Sequence, residues 1–275
     1  MSIDYSKLIH PEDERALAAL EVYSHVGLNQ LINKVYALYD RVISRWNLAS
    51  KIRLSRNQFP EIYNLLPPIC EKLGIEEPEF YLEMNPYPNA YTMGDENPAI
   101  VINSGLVEHL TEDELRTAIA HECGHILCHH VKYLTVAHVV MQGGSMLLSD
   151  LAKPLFFTLT YWCRRTEFSA DRVAAWVMDD VNIVLKTLLR LTSGSKTLTA
   201  NINIEEYKKQ ISVFDQLCDE NTFDKVTQSF MIAEELHPLP AVRCMELLKW
   251  WNNPNKELPL PTDIVWSDSD AIEWN

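Results

Sequence analysis

The chain has 275 residues, enough for one large domain or two small ones. Hydrophobic residues make up 47% of it and charged residues 23%, a balance typical of a globular protein in water. The formal net charge of -14 argues against nucleic acid or an anionic membrane as the main partner, because both would repel the chain.

The opening stretch MSIDYSKLIHPEDERAL is polar and charged, unlike the basic and apolar regions of a signal peptide. We therefore expect a cytoplasmic location. The most apolar segment, residues 134–162, is interrupted by Gly143, Gly144 and Pro154, so neither half reaches the ~20 residues of a membrane span. The sequence predicts no integral membrane span and leaves peripheral membrane contact open. The six cysteines form no CxxC pair, which favours buried, reduced thiols.

Apolar residues recur at helical spacing over residues 11–47, which predicts two helices separated near Gly27 and Leu28. The stretch KIRLS that follows is a candidate for a short strand.

Pro60 favours the start of a further helix, which Pro67 and Pro68 kink or divide and which Gly74 closes. Next come two strand candidates, EFYLEM and AIVINS. The intervening NPYPNAYTMGDENP has the residues of turns.

The segment TEDELRTAIAHECGHILCHH predicts a helix that begins near Thr111, because Thr111 and Glu114 have capping-box spacing. His121 and His125 are four residues apart and share one helix face, so both imidazoles can bind one ion at ~2.0–2.1 Å. Glu122 is rotated by ~100° from His121 and lies beside the ion, where a base for water activation belongs. This HExxH pattern is the helix signature of zinc peptidases.

A zinc site of this kind needs a third protein ligand. The pattern HExxHxxGxxH fails, because Cys128 and Val131 occupy its glycine and histidine positions. His129 would extend the histidine stripe, but three ligands on one straight helix span ~11–12 Å, too far for one ion. We expect His129 and His130 to lie around the site or on the surface.

A glutamate on a later helix is the third option, and CRRTEFSADRVAAWVM supplies it. Glu167 and Asp171 share a helix face at i,i+4 spacing. Glu167 would bind the metal, while Asp171 would accept a hydrogen bond from His121 and fix its tautomer. The neighbouring alanines would allow two helices to approach closely.

Four ordered stretches resemble the HtpX and CaaX-prenyl-protease type of gluzincin metallopeptidase. They are PNAYTMG, AIVINSGLVEHLTEDELRTAIAHECGHILCHH, RRTEFSADRVA and HPLPAVRCMELL, and the likeness covers roughly residues 60–250. The resemblance implies an α+β, mostly helical, zincin-like core. In that fold the edge strand of a small sheet borders the active-site cleft, and the HExxH helix is followed by the ExxxD helix.

The resemblance also implies a zinc endopeptidase with one Zn2+ per chain, held by the two HExxH histidines and Glu167. Glu122 would be the general base. His237 and Arg243 would stabilise the oxyanion of the tetrahedral intermediate, a task for which an imidazole and a guanidinium are suitable donors. Many family members have transmembrane helices around this core, so a prenyl-protein substrate is not implied for a chain without them.

We expect a peptide or unfolded protein as substrate. It would lie extended along AIVINS, where Ile100 and Ile102 would offer main-chain hydrogen bonds, and Asn89 and Ala90 would line the same cleft.

We expect the chain to divide into a helical segment (1–55) packed on the core, a metallopeptidase domain (56–252) and a C-terminal tail (253–275). Two alternatives remain. One is a zinc-stabilised peptide-binding module that does not cut, although an intact Glu122 speaks against it. The other is a latent protease whose tail covers its own cleft.

Overall fold

The computed structural model describes residues 4–22, 36, 42–94, 97–139, 153–220 and 237–259. After a 3-10 turn at Tyr5–Lys7, its helices are α1 (Pro11–Val22), α2 (42–50), α3 (Pro60–Tyr63), α4 (Leu66–Leu73), α5 (Ser104–His109), α6 (Glu112–Leu127), α7 (Val131–Val139), α8 (Lys153–Met178), α9 (Val181–Ser193), α10 (Lys196–Thr199), α11 (Ile204–Glu220) and α12 (Pro240–Trp251). Its strands are β1 (Ile52–Arg53), β2 (Glu79–Glu83), β3 (Ala90–Met93) and β4 (Ala99–Asn103).

The fold is α+β and mostly helical, as the sequence predicts. The four strands form one sheet in the order β1-β2-β4-β3. β2 and β4 are parallel, and the other two pairings are antiparallel. β4 is therefore an interior strand, and all five of its residues are buried.

The edge strand β3 is a correction to the sequence analysis, which assigned NPYPNAYTMGDENP to turns. The strand has only four residues, Ala90–Met93, and follows a stretch rich in proline and asparagine. Tyr91 and Thr92 favour a strand, and pairing with β4 over the whole length of β3 stabilises it despite the turn-forming residues on either side.

The two proline-containing helices follow from local rules. α3 ends at Tyr63 and α4 begins at Leu66, so the predicted division falls just before Pro67 and Pro68. These prolines lie in the first turn of α4, where a missing N–H costs no helical hydrogen bond. Gly74 ends α4 with φ of 66°, as predicted. The predicted break near Gly27 and Leu28 lies outside the described residues.

The core is built where α6 crosses α8. A Cβ atom at Gly124 would lie 3.0 Å from Cβ of Val173 and 3.1 Å from Cα of Ala170. Only a residue without a side chain allows this approach, so Gly124 sets the distance between the two helices. Leu115, Ile119 and other residues of α6 are fully buried and join the main hydrophobic cluster. Burial of this face stabilises a helix whose other residues are polar.

α1 packs against α8 through a smaller cluster that includes Ala16, Leu20 and Trp162. Five cysteines in the described part of the chain are buried and form no disulfide. Among the described residues, every helix is either too short or too polar to cross a bilayer.

Candidate metal centre

The HExxH helix begins as the sequence predicts. Thr111 is the N-cap of α6, and its hydroxyl accepts a hydrogen bond from the backbone N–H of Glu114 at 3.4 Å. The Glu114 carboxylate accepts the Thr111 N–H at 2.8 Å, which completes the capping box.

His121 and His125 follow one turn apart on α6, with ring centroids separated by 4.9 Å. Their side chains face the same neighbour, helix α8.

Glu167 on α8 meets both histidines. Its Oε2 lies 3.4 Å from Nε2 of His121, and its Oε1 lies 3.4 Å from Nε2 of His125. A tetrahedral zinc ion with bonds of ~2.0–2.1 Å has its ligand atoms ~3.3–3.4 Å apart, so each carboxylate oxygen lies at that spacing from one histidine nitrogen. Ligand atoms of the three residues all lie within 4.8 Å of one another. The arrangement could therefore hold a metal ion.

The Glu167 carboxylate has unused capacity to bind a cation. Its Oε2 is buried and accepts no hydrogen bond from the described residues, although Nη1 of Arg243 lies 3.0 Å away outside hydrogen-bond geometry. Burial by itself raises the pKa of Glu167, but the positive charges of His237 and Arg243 outweigh it and hold that pKa well below its usual range. A buried, ionised oxygen that accepts no hydrogen bond has an electron pair available to bind a metal ion.

Asp171 lies one turn beyond Glu167 on α8. Its Oδ1 is 3.1 Å from Nδ1 of His121. Because a carboxylate only accepts, Nδ1 of His121 carries a proton, so Nε2 is the nitrogen with which His121 would bind a metal ion. The tautomer required of a metal-binding His121 is thus fixed by a neighbour that is itself buried.

Arg243 on α12 binds the same carboxylates. Its Nε donates to Oδ2 of Asp171 at 2.8 Å, and its Nη2 donates to Oδ1 at 2.6 Å. Burial by itself lowers the pKa of Arg243, but the charges of Asp171 and Glu167 raise it overall. The guanidinium therefore stays charged and neutralises two buried carboxylates.

His237 precedes α12 and lines the cleft beside the cluster. Its Nε2 is 3.9 Å from Oε1 of Glu167, and 59% of its side chain is exposed. It differs in this respect from the histidines on α6, because solvent or a bound substrate can reach it. The contacts that the resemblance implies for His237 and Arg243 with an oxyanion stay predictions.

Glu122 points into the same cleft, and one of its oxygens is held by a residue that the sequence analysis missed. The hydroxyl of Thr92, on the edge strand β3, donates to Oε2 of Glu122 at 2.6 Å. The two residues are 30 positions apart, and only the fold brings them together. The other carboxylate oxygen of Glu122, Oε1, takes no part in this hydrogen bond.

The cleft is a cavity of about 200 Å³ whose floor carries the polar cluster. Asn89 and Ala90 line it, as expected. A second missed residue positions them: the buried Asn103 accepts the N–H of Asn89 at 3.0 Å and donates to the carbonyl of Tyr87 at 2.6 Å. Beyond Glu122 the wall is mainly apolar, with contributions from Leu106, Ala118, Ala174, Val184, Leu188 and Leu191.

The predicted substrate contacts of Ile100 and Ile102 are wrong. β4 is paired with β2 on one side and β3 on the other, and both isoleucines are fully buried. Neither edge of β4 is free to accept another strand. Of the two end strands, β1 and β3, it is β3 that borders the cleft, because Ala90 lines the cavity.

The two histidines that follow the helix differ from each other. His129 adopts a left-handed conformation with φ of 59° and is exposed. His130 turns inward, where its Nδ1 lies 3.1 Å from Nδ1 of His125 and its Nε2 lies 3.0 Å from Oδ2 of Asp13. Burial is the main reason that the pKa of His130 is lowered, although Asp13 opposes the shift.

Comparison with known proteins agrees with this geometry. The family model described as Peptidase family M48 matches residues 57–251, which include the whole cluster. The chain belongs to peptidase family M48. Membership makes it a metallopeptidase, and a family M48 enzyme uses a divalent metal.

Individual relatives carry names consistent with the family. The chain is 28% identical over 254 residues to "Plastoglobule-localized metallopeptidase 48, chloroplastic" of Arabidopsis thaliana, covering 90% of the chain and 73% of that protein. It is 31% identical over 141 residues to "Protease HtpX homolog" of Dictyoglomus turgidum, covering 50% of the chain and 45% of that protein. The chain thus spans less than half of the HtpX relative's length. No solved structure gave a significant match.

Proposed function

We propose that this family M48 chain is a zinc-dependent endopeptidase in which His121, His125 and Glu167 hold one zinc ion. The observation that carries the proposal is the approach of the Glu167 oxygens to both histidine Nε2 atoms at 3.4 Å, in a cleft that also contains Glu122. A cytoplasmic location stays a prediction.

When bound there, zinc supplies the Lewis acidity that polarises a peptide carbonyl and makes a water molecule more acidic. The residues around the site favour zinc binding in different ways. Asp171 holds His121 in the tautomer with a free Nε2, and Glu167 contributes an anionic oxygen that lacks a hydrogen-bond donor. Little rearrangement is then needed to complete the coordination, which favours tight binding.

Glu122 moves the proton. It accepts a proton from the attacking water and returns it to the nitrogen of the departing amine, so the carboxylate is regenerated in each cycle. The Thr92 hydroxyl holds Oε2 and restricts rotation of the carboxylate, which leaves Oε1 to exchange the proton. Two rigid elements therefore fix the base: helix α6 carries it, and strand β3 orients it.

The proposed oxyanion donor is His237. Its exposed imidazole borders the cavity and can approach the carbonyl oxygen as negative charge develops there. Arg243 holds Asp171 and Glu167 in position and neutralises their charge through its contacts with both. Its positive charge also reaches the cavity, which Arg243 lines.

A substrate can add to the free edge of β3. The N–H of Asn103 donates to the carbonyl of Asn89 at 3.1 Å, so Asn89 directs its carbonyl toward β4. Backbone directions alternate in an antiparallel pair, so the N–H and C=O of the next residue, Ala90, point away from β4. An extended peptide can pair with Ala90, and this orients its scissile bond over the cluster.

The apolar wall beyond Glu122 indicates which side chain the cleft accepts. Val184 and Leu188 of α9 and Ala174 of α8 provide hydrocarbon surface, which favours an apolar residue beside the scissile bond. The substrate class is therefore an unfolded or extended polypeptide with exposed apolar residues. Buried apolar residues become accessible when a protein unfolds, so damaged proteins fit the requirement.

Metal analysis of dialysed protein tests the proposal. We expect one zinc per chain in the parent, and cleavage of unfolded casein that a chelator abolishes and added zinc restores. Glu167→Gln removes a ligand charge while preserving side-chain size, and it should lower both zinc affinity and cleavage. The control is Glu205→Gln, which neutralises an exposed helical glutamate. Full zinc affinity in Glu167→Gln would exclude Glu167 from the site.

A further inference from the structure

A buried line of hydrogen-bonding groups runs from His125 to the N-terminal helix. Nδ1 of His125 lies 3.1 Å from Nδ1 of His130, and Nε2 of His130 lies 3.0 Å from Oδ2 of Asp13. The three residues are 4%, 3% and 3% exposed, so water does not compete for these contacts. Asp13 belongs to α1, more than a hundred positions away from His125 in sequence.

The chemistry of the three groups sets the direction of each hydrogen bond. An ionised carboxylate only accepts, so Nε2 of His130 must carry a proton and donate it to Asp13. Nδ1 of a neutral His130 then holds a lone pair and accepts the Nδ1–H of His125. With its proton on Nδ1, His125 would bind a metal ion through Nε2, which lies 3.4 Å from Oε1 of Glu167.

Asp13 is itself held in place. The hydroxyl of Ser169, two residues after Glu167, donates to Oδ2 of Asp13 at 2.6 Å and accepts the backbone N–H of His10 at 2.9 Å. Burial by itself raises the pKa of Asp13, but hydrogen bonds from His130 and Ser169 lower it overall and keep the carboxylate ionised. The ring of Trp162 lies edge-on to His130 at 5.7 Å and limits its rotation.

We propose that Asp13 is a positioning residue of the metal centre, which fixes the tautomer and orientation of His125 through the intervening ring of His130. The inference rests on the proposed function, because it assumes that His125 is a ligand. It gives His125 a carboxylate support that corresponds to Asp171 behind His121, with one imidazole inserted between. Asp13 lies outside residues 57–251, so this support comes from α1, beyond the part of the chain that matches the family.

The same segment also contacts the helix that carries Arg243. Nε2 of His10 lies 3.3 Å from Oε2 of Glu246 on α12, and the backbone N–H of Glu12 donates to Nδ1 of His10 at 3.1 Å. Residues 10–13 thus touch the turn after α6 through His130, helix α8 through Ser169 and helix α12 through Glu246. This explains why a charged residue is buried at the start of α1.

The experiment measures zinc affinity by competition with a chromophoric chelator on the full-length chain. Asp13→Ala removes the acceptor, and we expect a loss of ~10–100-fold in affinity, as is usual for residues that orient a ligand. Asp13→Asn keeps a neutral acceptor oxygen and should recover part of the loss. Glu14→Ala is the matched control, because Glu14 is the exposed acidic neighbour on the same helix.

A second measurement separates positioning from general stabilisation of the fold. The rise in melting temperature on adding zinc depends on zinc affinity, and a purely structural residue lowers the apo and zinc-bound temperatures equally. We expect the zinc-dependent rise to shrink in Asp13→Ala and to be intact in Glu14→Ala. Parental zinc affinity and an unchanged rise in Asp13→Ala would overturn this inference alone. Failure of the parent itself to bind zinc would overturn the proposed function.

Discussion

Arg243 binds Asp171 through two hydrogen bonds, from Nε at 2.8 Å and from Nη2 at 2.6 Å. The same Asp171 contacts Nδ1 of His121 at 3.1 Å, and Nη1 of Arg243 lies 3.0 Å from Oε2 of Glu167, so the guanidinium touches one proposed ligand directly and reaches another through Asp171. Charged groups that are buried together stabilise a fold only as a set, because removing one leaves the others without compensation. Arg243 is therefore essential to the form of the site as well as to its charge.

Arg243→Ala should lower the free energy of unfolding by ~3–5 kcal/mol, because Asp171 and Glu167 would remain buried without their cation. His237→Ala is the informative comparison, since His237 is mainly exposed and its loss should affect turnover but hardly stability. Urea unfolding of the two metal-free variants measures the difference. Equal stability of both would contradict the structural role of Arg243.

Thr92→Val replaces the hydroxyl that holds Glu122 by a methyl group of similar size. We expect zinc affinity to be unchanged and the turnover rate to fall about tenfold, because a hydrogen bond to a charged group contributes ~1.5–3 kcal/mol when fully lost and solvent replaces part of it. Thr92→Ser retains the hydroxyl and should be near the parent. If Thr92→Val cleaves peptide at the parental rate, the contact does not orient the base.

Leu191 at the mouth of the cleft offers a test of the apolar wall. It lines the cavity and is 38% exposed, so Leu191→Lys should leave the fold intact. We expect kcat/KM for peptides with leucine beside the scissile bond to fall about tenfold. The kcat/KM for peptides with an acidic residue there should rise relative to that for leucine. Leu198→Lys changes an exposed leucine outside the cleft and is the control. An unaltered ratio would exclude this wall from substrate selection.

Glu246 predicts a pH dependence of the metal-free protein. Its hydrogen bond with His10 is the main cause that lowers its pKa below the ordinary value. A carboxylate with a lowered folded pKa stabilises the fold above the unfolded value of ~4.3 and loses that contribution as the pH falls through the folded pKa. Urea unfolding between pH 6 and 3 should give a steeper acid loss in the parent than in Glu246→Gln. Identical slopes would contradict the contact.

The sequence predicts those parts of the fold and the site that depend on neighbouring residues. The capping box at Thr111, the left-handed Gly74 and the i,i+4 pairs of the HExxH and ExxxD helices all follow from spacing along one element. Each needs only the geometry of a single helix or its end, which a short stretch of sequence determines.

The features that the sequence analysis placed wrongly or missed depend on contacts between segments that are far apart in the sequence. The order of strands places β3 rather than β4 at the cleft edge, and no local pattern records that order. Thr92 meets Glu122 through this sheet, and Asp13 meets His130 through the packing of α1 on α8. For Asp13 a signal was present, since an acid occurs on an apolar helix face between His10 and Ala16, but its partner could not be identified from sequence.

The most direct test of the account is Glu122→Gln, measured for zinc content and peptide cleavage beside the parent. Glutamine has nearly the same shape as glutamate and Glu122 is not a proposed ligand, so the variant should fold and bind one zinc. Because it cannot accept the proton of water, hydrolysis should fall by at least ~10²–10⁴-fold. Equal zinc content with strongly reduced cleavage is the predicted result. Cleavage that persists undiminished in the variant would contradict the assignment of Glu122 as the base.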